Sequence, residues 1–293
     1  MTLRYQPTEA FTHRLTAGYD FNFVEHRNLK PFGFLTDPSG ILQNERWSSE
    51  IVTLDYAGAY EFSLGGATRN TFSFGGQVVN TATANTVAWS QGFPGPGVPT
   101  VTSGATQVAE ESRIKVVNAG FFFQDRVNIG ENLFVTAGVR FDGNSAFGEN
   151  LGLQAYPKLS ASYVLSDTDL WNDSWGTFKL RTAWGQSGRA PGAFDAVKTW
   201  AADRLGDKSA FVPQNLGNPD LGPERTTEYE LGFDASFLSE RLKSEVPYYR
   251  RRTTDALFPV QQPPSAGRWN AQLENVGELT SRGLEVQVTG TAF

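Results

Sequence analysis

Three observations predict one fold class for this sequence: all-β, a transmembrane antiparallel β-barrel with about ten strands. First, apolar and polar residues alternate with period two along most of the chain, and helical periodicity is nearly absent. Second, the connections between alternating segments are long and short in strict turn. That is the layout of long extracellular loops and short periplasmic turns. Third, charges end the apolar parity after about 20 Å of climb, close to the ~25 Å apolar band of a membrane barrel.

The alternating segments lie near 10–23, 49–63, 70–84, 112–127, 133–142, 155–165, 176–186, 225–237, 242–252 and 274–292. In the first, Phe11, Leu15, Ala17, Tyr19, Phe21 and Phe23 share one parity, against Thr12, Arg14, Thr16, Asp20 and Asn22. In the fourth, Lys115 and Asp125 bracket Val117, Ala119, Phe121 and Phe123 on one parity. The fifth sets Leu133, Val135, Ala137, Val139 and Phe141 against residues that include Thr136, Gly138, Arg140 and Asp142. The eighth sets Tyr229, Leu231, Phe233, Ala235 and Phe237 against Glu228, Glu230, Gly232, Asp234 and Ser236. The ninth carries Leu242, Ser244, Val246 and Tyr248, followed by Arg250. Pro247 falls inside it, where it removes a ladder hydrogen bond and calls for an edge position or a bulge.

Long connections are expected near 24–48, 85–111, 143–154, 187–224 and 253–273, and short ones near 64–69, 128–132, 166–175 and 238–241. A soluble domain contains few structureless loops that long. The inner parity carries Arg140, Lys179, Arg181, Glu228, Glu230 and Asp234, which fits a polar lumen and not a dry sandwich core. Gly120, Gly138, Gly185 and Gly232 share that parity, where small residues permit a bend or the close approach of an enclosed element. Trp171 and Trp175 flank a short turn, at the depth of an aromatic girdle.

Composition removes other classes. The 293 residues carry a formal net charge of −6, which opposes a nucleic-acid partner. With no Cys, disulfides, thiol catalysis and cysteine-ligated metals are excluded, and the two His leave few imidazole sites. No apolar run reaches the ~18 residues of a membrane-spanning helix. The opening MTLRYQPTEA has no signal-peptide pattern.

Five stretches carry a family resemblance: VRFDGNSAFG, AYPKLSASYVLSD, TFKLRTAWGQSG, LGNPDLGPERTTEYELGFD and NVGELTSRGLEVQV. In this order and spacing they resemble the SusC/RagA type of TonB-dependent outer-membrane transporter, over residues 133 to 293. The resemblance implies a plugged barrel of about 22 strands. It implies nutrient import (oligosaccharide or peptide cargo) across the outer membrane of a Gram-negative-type cell, in contact with outer-membrane lipid. It also implies a TonB complex and a SusD-like surface lipoprotein as partners. Residues 1–293 are then expected to be a partial barrel domain without plug, signal peptide or final strands. Phe293 supports this, since Thr291, Thr289 and Gln287 stand where a closing strand would be apolar. In the motifs, Glu224 and Arg225 are placed to pair at the lumen rim, and Gly277 and Gly283 suggest a bulge.

No catalytic, metal or cofactor site is expected. Trp89, Trp200 and Trp269, in three long loops, are the candidates for stacking on a sugar-like cargo, against the ordinary reading of loop packing. Arg250 and Arg252 share the lipid-facing parity at the extracellular end and are candidates for lipopolysaccharide phosphates, against a solvated strand end. His13 reads as an interfacial histidine. His26 reads as a surface histidine in the first long loop. DTDLWNDSW lacks the calcium-loop glycine, and GFPGPGVP follows no strand–helix junction, so neither reads as an ion or phosphate site. The alternatives are a complete small barrel acting as a passive pore and, behind it, a barrel hydrolase using His26 with Asp20 or Asp37.

Overall fold

The computed structural model describes residues 1–263, 265 and 271–291. Its strands are β1 (Thr2–Thr8), β2 (Phe11–Lys30), β3 (Ile41–Gly65), β4 (Thr68–Gln91), β5 (Thr106–Ile129), β6 (Leu133–Asn144) and β7 (Gln154–Val164). They continue with β8 (Thr177–Arg189), β9 (Thr199–Leu205), β10 (Lys208–Asn215), β11 (Glu224–Phe237), β12 (Leu242–Gln261), β13 (Ala271–Leu284) and β14 (Gln287–Gly290). There is no α-helix among the described residues, only single 3-10 turns. A 12-stranded sheet is ordered β1 to β8, then β11, β12 and β13, with β14 also on β12; β9 and β10 form a separate hairpin.

The first nine expected segments each coincide with a strand and the tenth with two, β13 and β14, but the strands run further than the alternation. β3 spans 25 residues, so much of the expected 24–48 loop is sheet, and the connection shrinks to 31–40. The reason is physical. Alternation records two different environments on the two faces, and it fades where the two faces no longer differ in polarity, while backbone pairing continues. The same effect moves β4 to Gln91 and starts β5 at Thr106. Three strands were not foreseen. β1 is short and exposed at every position. β9 and β10 lie inside the expected 187–224 loop, joined at Gly206-Asp207 with Gly206 at φ +64°. This glycine–aspartate pair is a two-residue hairpin signal.

The expected tenth segment is divided in two, and Pro247 is the cause. Tyr248 pairs Leu284, Glu245 pairs Gln287, and the Glu285 amide donates to the Pro247 carbonyl at 2.9 Å. Pro247 has no N–H to return to Glu285, so the ladder breaks there and β13 gives way to β14. On its other side Pro247 faces Gly232, whose missing side chain matters. A Cβ there would lie 3.0 Å from the Val246 carbonyl oxygen and 3.1 Å from the Pro247 Cα. The proline therefore sits in line with its strand, without the edge or bulge expected of it. The bulge falls higher in β12. Register shifts between Thr253 and Ala256, Asp255 adopts φ +55°, and Gly277 lies opposite. Gly283 marks no bulge but leaves room for the Tyr249 ring.

The chain divides into two compact units: Met1 with Thr16–Leu54 and Val78–Val117, and Thr2–Leu15 with Asp55–Gln77 and Asn118–Phe293. In the first, Leu42 and Phe93 are buried, and the Phe93 amide donates to the Ser39 carbonyl at 2.8 Å. Gly40, at φ +75°, lies against the Phe93 ring, where a Cβ would stand 2.5 Å from Cδ2. In the second, the register of β5 to β12 sets Gln124, Gly138, Lys158, Gly185, Glu228 and Arg251 in one row on one face. The row on the other face is Asp125, Ala137, Leu159, Trp184, Tyr229 and Arg250.

Candidate functional site

The face that carries Arg140 and Glu230 is a wall of paired charges with small residues between them. Arg140 holds Asp142 through Nε at 2.7 and 2.9 Å, and reaches Gln77 at 3.4 Å. Gln77 in turn donates to Asp55, which lies 3.9 Å from Arg14. Further along, Arg181 bonds Asp234 at 3.0 Å and pairs with Glu230, while Lys179 bonds the other Asp234 oxygen at 3.0 Å. Arg251 holds Glu228 through two nitrogens. The Arg181 and Asp234 side chains each keep 30% exposure, so each pair adds little stability. What the pairs achieve is neutrality: a wetted wall that offers donors and acceptors without a large net charge.

A cavity of about 720 Å³ opens on this wall, lined among others by Arg4, Arg14, Arg140, Asp142, Lys158 and Tyr156. Its shape depends on glycine. A Cβ on Gly120 would collide with the Asp142 carboxylate, and one on Gly188 would collide with the Tyr156 hydroxyl. Of the expected lumen-facing glycines, Gly120 thus makes room for the Arg140–Asp142 pair, while Gly138 lies against the Lys158 side chain.

Where the wall meets the long connections, residues 217–224 form a knot around the buried Leu221, Gly222 and Pro223. Leu221 is 0% exposed, and its carbonyl accepts from the Gly148 amide at 3.0 Å. The Asn218 amide donates to Ala196, and Gln272 donates to Gly217. Asn275 clasps Gly222 from both sides, accepting from its amide at 2.8 Å and donating to its carbonyl at 2.9 Å, and also donates to the Asp255 carbonyl. Glu224 and Arg225 do not pair with each other as expected. Glu224 accepts from the Leu257 amide at 2.9 Å. Arg225 bonds Gln154, Gln186 and the Ala155 carbonyl. Their alternation explains this, since neighbours in a strand point to opposite faces.

The candidate aromatics fare differently. Trp89 is not in a loop but in β4, two residues before its end, because β4 outruns the alternation. Trp200 is in the long connection, on β9, 53% exposed, with the Lys198 ammonium 4.8 Å above its ring. The hairpin register puts Pro213 opposite Trp200 and Phe211 opposite Ala202, so the exposed Phe211 joins the same face. Trp269 lies outside the described residues. Trp171 stacks on Phe178, which stacks on Phe233, an aromatic run at the short-connection end. His13 bonds the Tyr56 hydroxyl at 2.8 Å and joins an aromatic cluster with Phe11 and Tyr5.

His26 is on β2 and not in a loop. Asp37 is engaged by Lys30 at 2.6 Å and by Thr36 at 2.9 Å, which leaves the hydrolase constellation without that carboxylate. Of the two candidate arginines, Arg252 is held by Glu278 through two bonds of 2.9 Å. Among the described residues no carboxylate lies within ion-pair distance of Arg250. Asn275 and Phe211 are the residues that sequence reasoning passed over. The Gly206-Asp207 hairpin signal pointed to the strand that carries the second, and nothing local signalled the first.

A family model described as TonB dependent receptor-like, beta-barrel matches residues 1–293. TonB-dependent receptor P26 of Formosa agariphila is 29% identical over 182 residues, which is 59% of this chain and 18% of the relative. TonB-dependent receptor SusC of Bacteroides thetaiotaomicron is 28% identical over 163 residues, 51% of this chain and 16% of the relative. Among solved structures, the RagAB peptide transporter covers the chain fully with a TM-score of 0.92 at 20% identity, and the chain covers 33% of it. The chain therefore spans a minor part of the relatives it matches. It belongs to the TonB-dependent receptor-like β-barrel family.

Proposed function

We propose that this member of the TonB-dependent receptor barrel family supplies part of the wall of an outer-membrane transporter that imports a nutrient such as an oligosaccharide or peptide. The observation that carries the reading is the pair of faces on one sheet. One is studded with exposed apolar side chains such as Phe123, Leu159, Leu231 and Tyr229, and the other with ion pairs around a cavity. Such a sheet suits lipid on one side and a hydrated path on the other. The match over the whole chain and the relatives named as TonB-dependent receptors support energy-coupled import over passive conduction.

In this reading β1 and β13 pair with further strands of the same barrel, and the coupling parts belong to the rest of the protein. A SusD-like surface lipoprotein and a TonB complex are the partners, and the import involves no covalent chemistry. The test is uptake by cells that express the full-length protein, with labelled oligosaccharide and peptide pools, with and without a functional TonB system. Uptake that disappears without TonB supports the reading. Uptake unaffected by its loss would replace it with a passive pore.

A further inference from the structure

Three consecutive arginines on β12 have three different fates. Arg251 points to the wall of ion pairs and is held by Glu228; Arg252 is held by Glu278. Arg250 faces Arg282 as its direct Cα partner on β13. Opposed residues in an antiparallel pair stand about 4.5–5.5 Å apart, and like charges there destabilise the pairing. Among the described residues neither guanidinium has a carboxylate within ion-pair distance, and both side chains are exposed.

Their surroundings say which solvent they meet. On the same face, Arg250 neighbours Tyr229, which is 57% exposed, and Tyr248 neighbours Leu231, at 61%. Leu284, at 64%, pairs with Tyr248. Trp184 lies beside Tyr229 with ring centroids 6.4 Å apart. Indole and phenol rings of this kind gather at the level of lipid headgroups. Arg250 is eight residues along β12 from Leu242. That distance climbs about 20 Å from the short-connection end, the outer edge of an apolar band of about 25 Å.

We propose that Arg250 and Arg282 form a binding site for the phosphate groups of an outer-leaflet glycolipid of the lipopolysaccharide type. Two planar guanidinium groups side by side present parallel donors that match phosphate oxygens, and the anion removes the repulsion between them. Tyr229 and Tyr248 flank the site with phenolic rings that tolerate an interface of sugar and acyl chain. The contrast with Arg252 defines the site, because Glu278 already occupies that guanidinium. The proposal rests on this face meeting lipid, as the proposed function requires.

The experiment is lipid retention by the purified full-length outer-membrane protein, read by native mass spectrometry. The probes are bisphosphorylated lipid A, its dephosphorylated form, and inorganic phosphate as competitor. The wild-type protein is expected to retain the phosphorylated lipid over the dephosphorylated one, with no displacement by millimolar phosphate. In Arg250→Gln with Arg282→Gln, retention is expected to fall about tenfold or more, while Arg252→Gln leaves most of it. Equal retention of the two lipids by the wild type overturns the proposal, even if the variants fail to assemble. So does unchanged retention in the double variant. Full displacement by phosphate would make this a free-anion site and overturn its assignment to lipid. If the barrel reading itself were wrong, neither lipid would be retained.

Discussion

The two faces of β5 to β12 share one backbone and differ in almost everything else. On one, Phe121, Phe123, Leu159, Leu180 and Leu231 are partly exposed and meet no covering layer among the described residues. On the other, Arg140, Lys179, Arg181, Arg251 and their carboxylates are just as open, yet paired. In a water-soluble sheet the apolar face would be the buried one. Here burial does not separate the faces, and side-chain chemistry does. The sequence is thus patterned for two solvents, lipid and water, and not for a core and a surface.

The largest test of that difference is a charge on the apolar face. Leu231→Arg, assayed by equilibrium unfolding of the full-length barrel in phospholipid vesicles, is expected to cost about 2–4 kcal/mol. Ser160→Lys on the opposite face is expected to cost less than about 1 kcal/mol. Equal costs would erase the distinction. Next in size is Gly120→Ala, where the new methyl would meet the Asp142 carboxylate and lie 2.8 Å from the Phe141 carbonyl oxygen. We expect a loss of about 1–3 kcal/mol in the same assay, with the Arg140–Asp142 pair displaced.

Smaller still is Arg181→Ala. Asp234 keeps Lys179, Glu230 loses its partner, and the site is partly open to water. A loss of about 1 kcal/mol or less is expected, shrinking further in high salt, and a double-mutant cycle with Asp234→Ala reads the coupling. The smallest effect lies in the connection at 31–40, outside both faces. The hydrogen bond from Lys30, with help from Thr36, holds the Asp37 carboxyl below its ordinary value of 3.8. A depressed carboxylate stabilises the fold above its unfolded-state value, and that contribution is lost as pH falls through the lower folded-state value. Lys30→Ala is expected to return Asp37 toward its ordinary titration, read by carboxyl carbon NMR, with little change in stability.

Most of the fold was legible because the period-two pattern is a direct record of two faces. Phe121 and Phe123 against Gly120 and Gln124 fix both the strand and its orientation. The pattern fails where its cause fails. At 41–48 and 85–91 apolar and polar residues do not alternate, since Ile41 adjoins Leu42 and Val87, Ala88 and Trp89 run together, so the pairing that carries Trp89 into β4 leaves no trace in alternation. The hairpin at 199–215 was readable from Gly206-Asp207 but was hidden by the length of the surrounding connection. The candidate site was less legible. Which arginine of Arg250, Arg251 and Arg252 lacks a carboxylate depends on Glu228 and Glu278, set opposite by register, and register is not a local property. Asn275 likewise clasps Gly222 from 53 residues away. Pro247 shows the reverse case, a residue whose local rule was plain while its consequence, the break between β13 and β14, needed the partner strand.

Whether alternate residues of one strand meet different solvents can be read from spin labels placed singly at positions 228 to 234 of the full-length protein in lipid. This chain has no cysteine, so within it each introduced thiol is labelled alone. Labels at Tyr229, Leu231 and Phe233 are expected to collide with lipid-soluble oxygen, and labels at Glu228, Glu230 and Asp234 with a water-soluble nickel chelate. A profile that does not alternate along the strand would contradict that expectation.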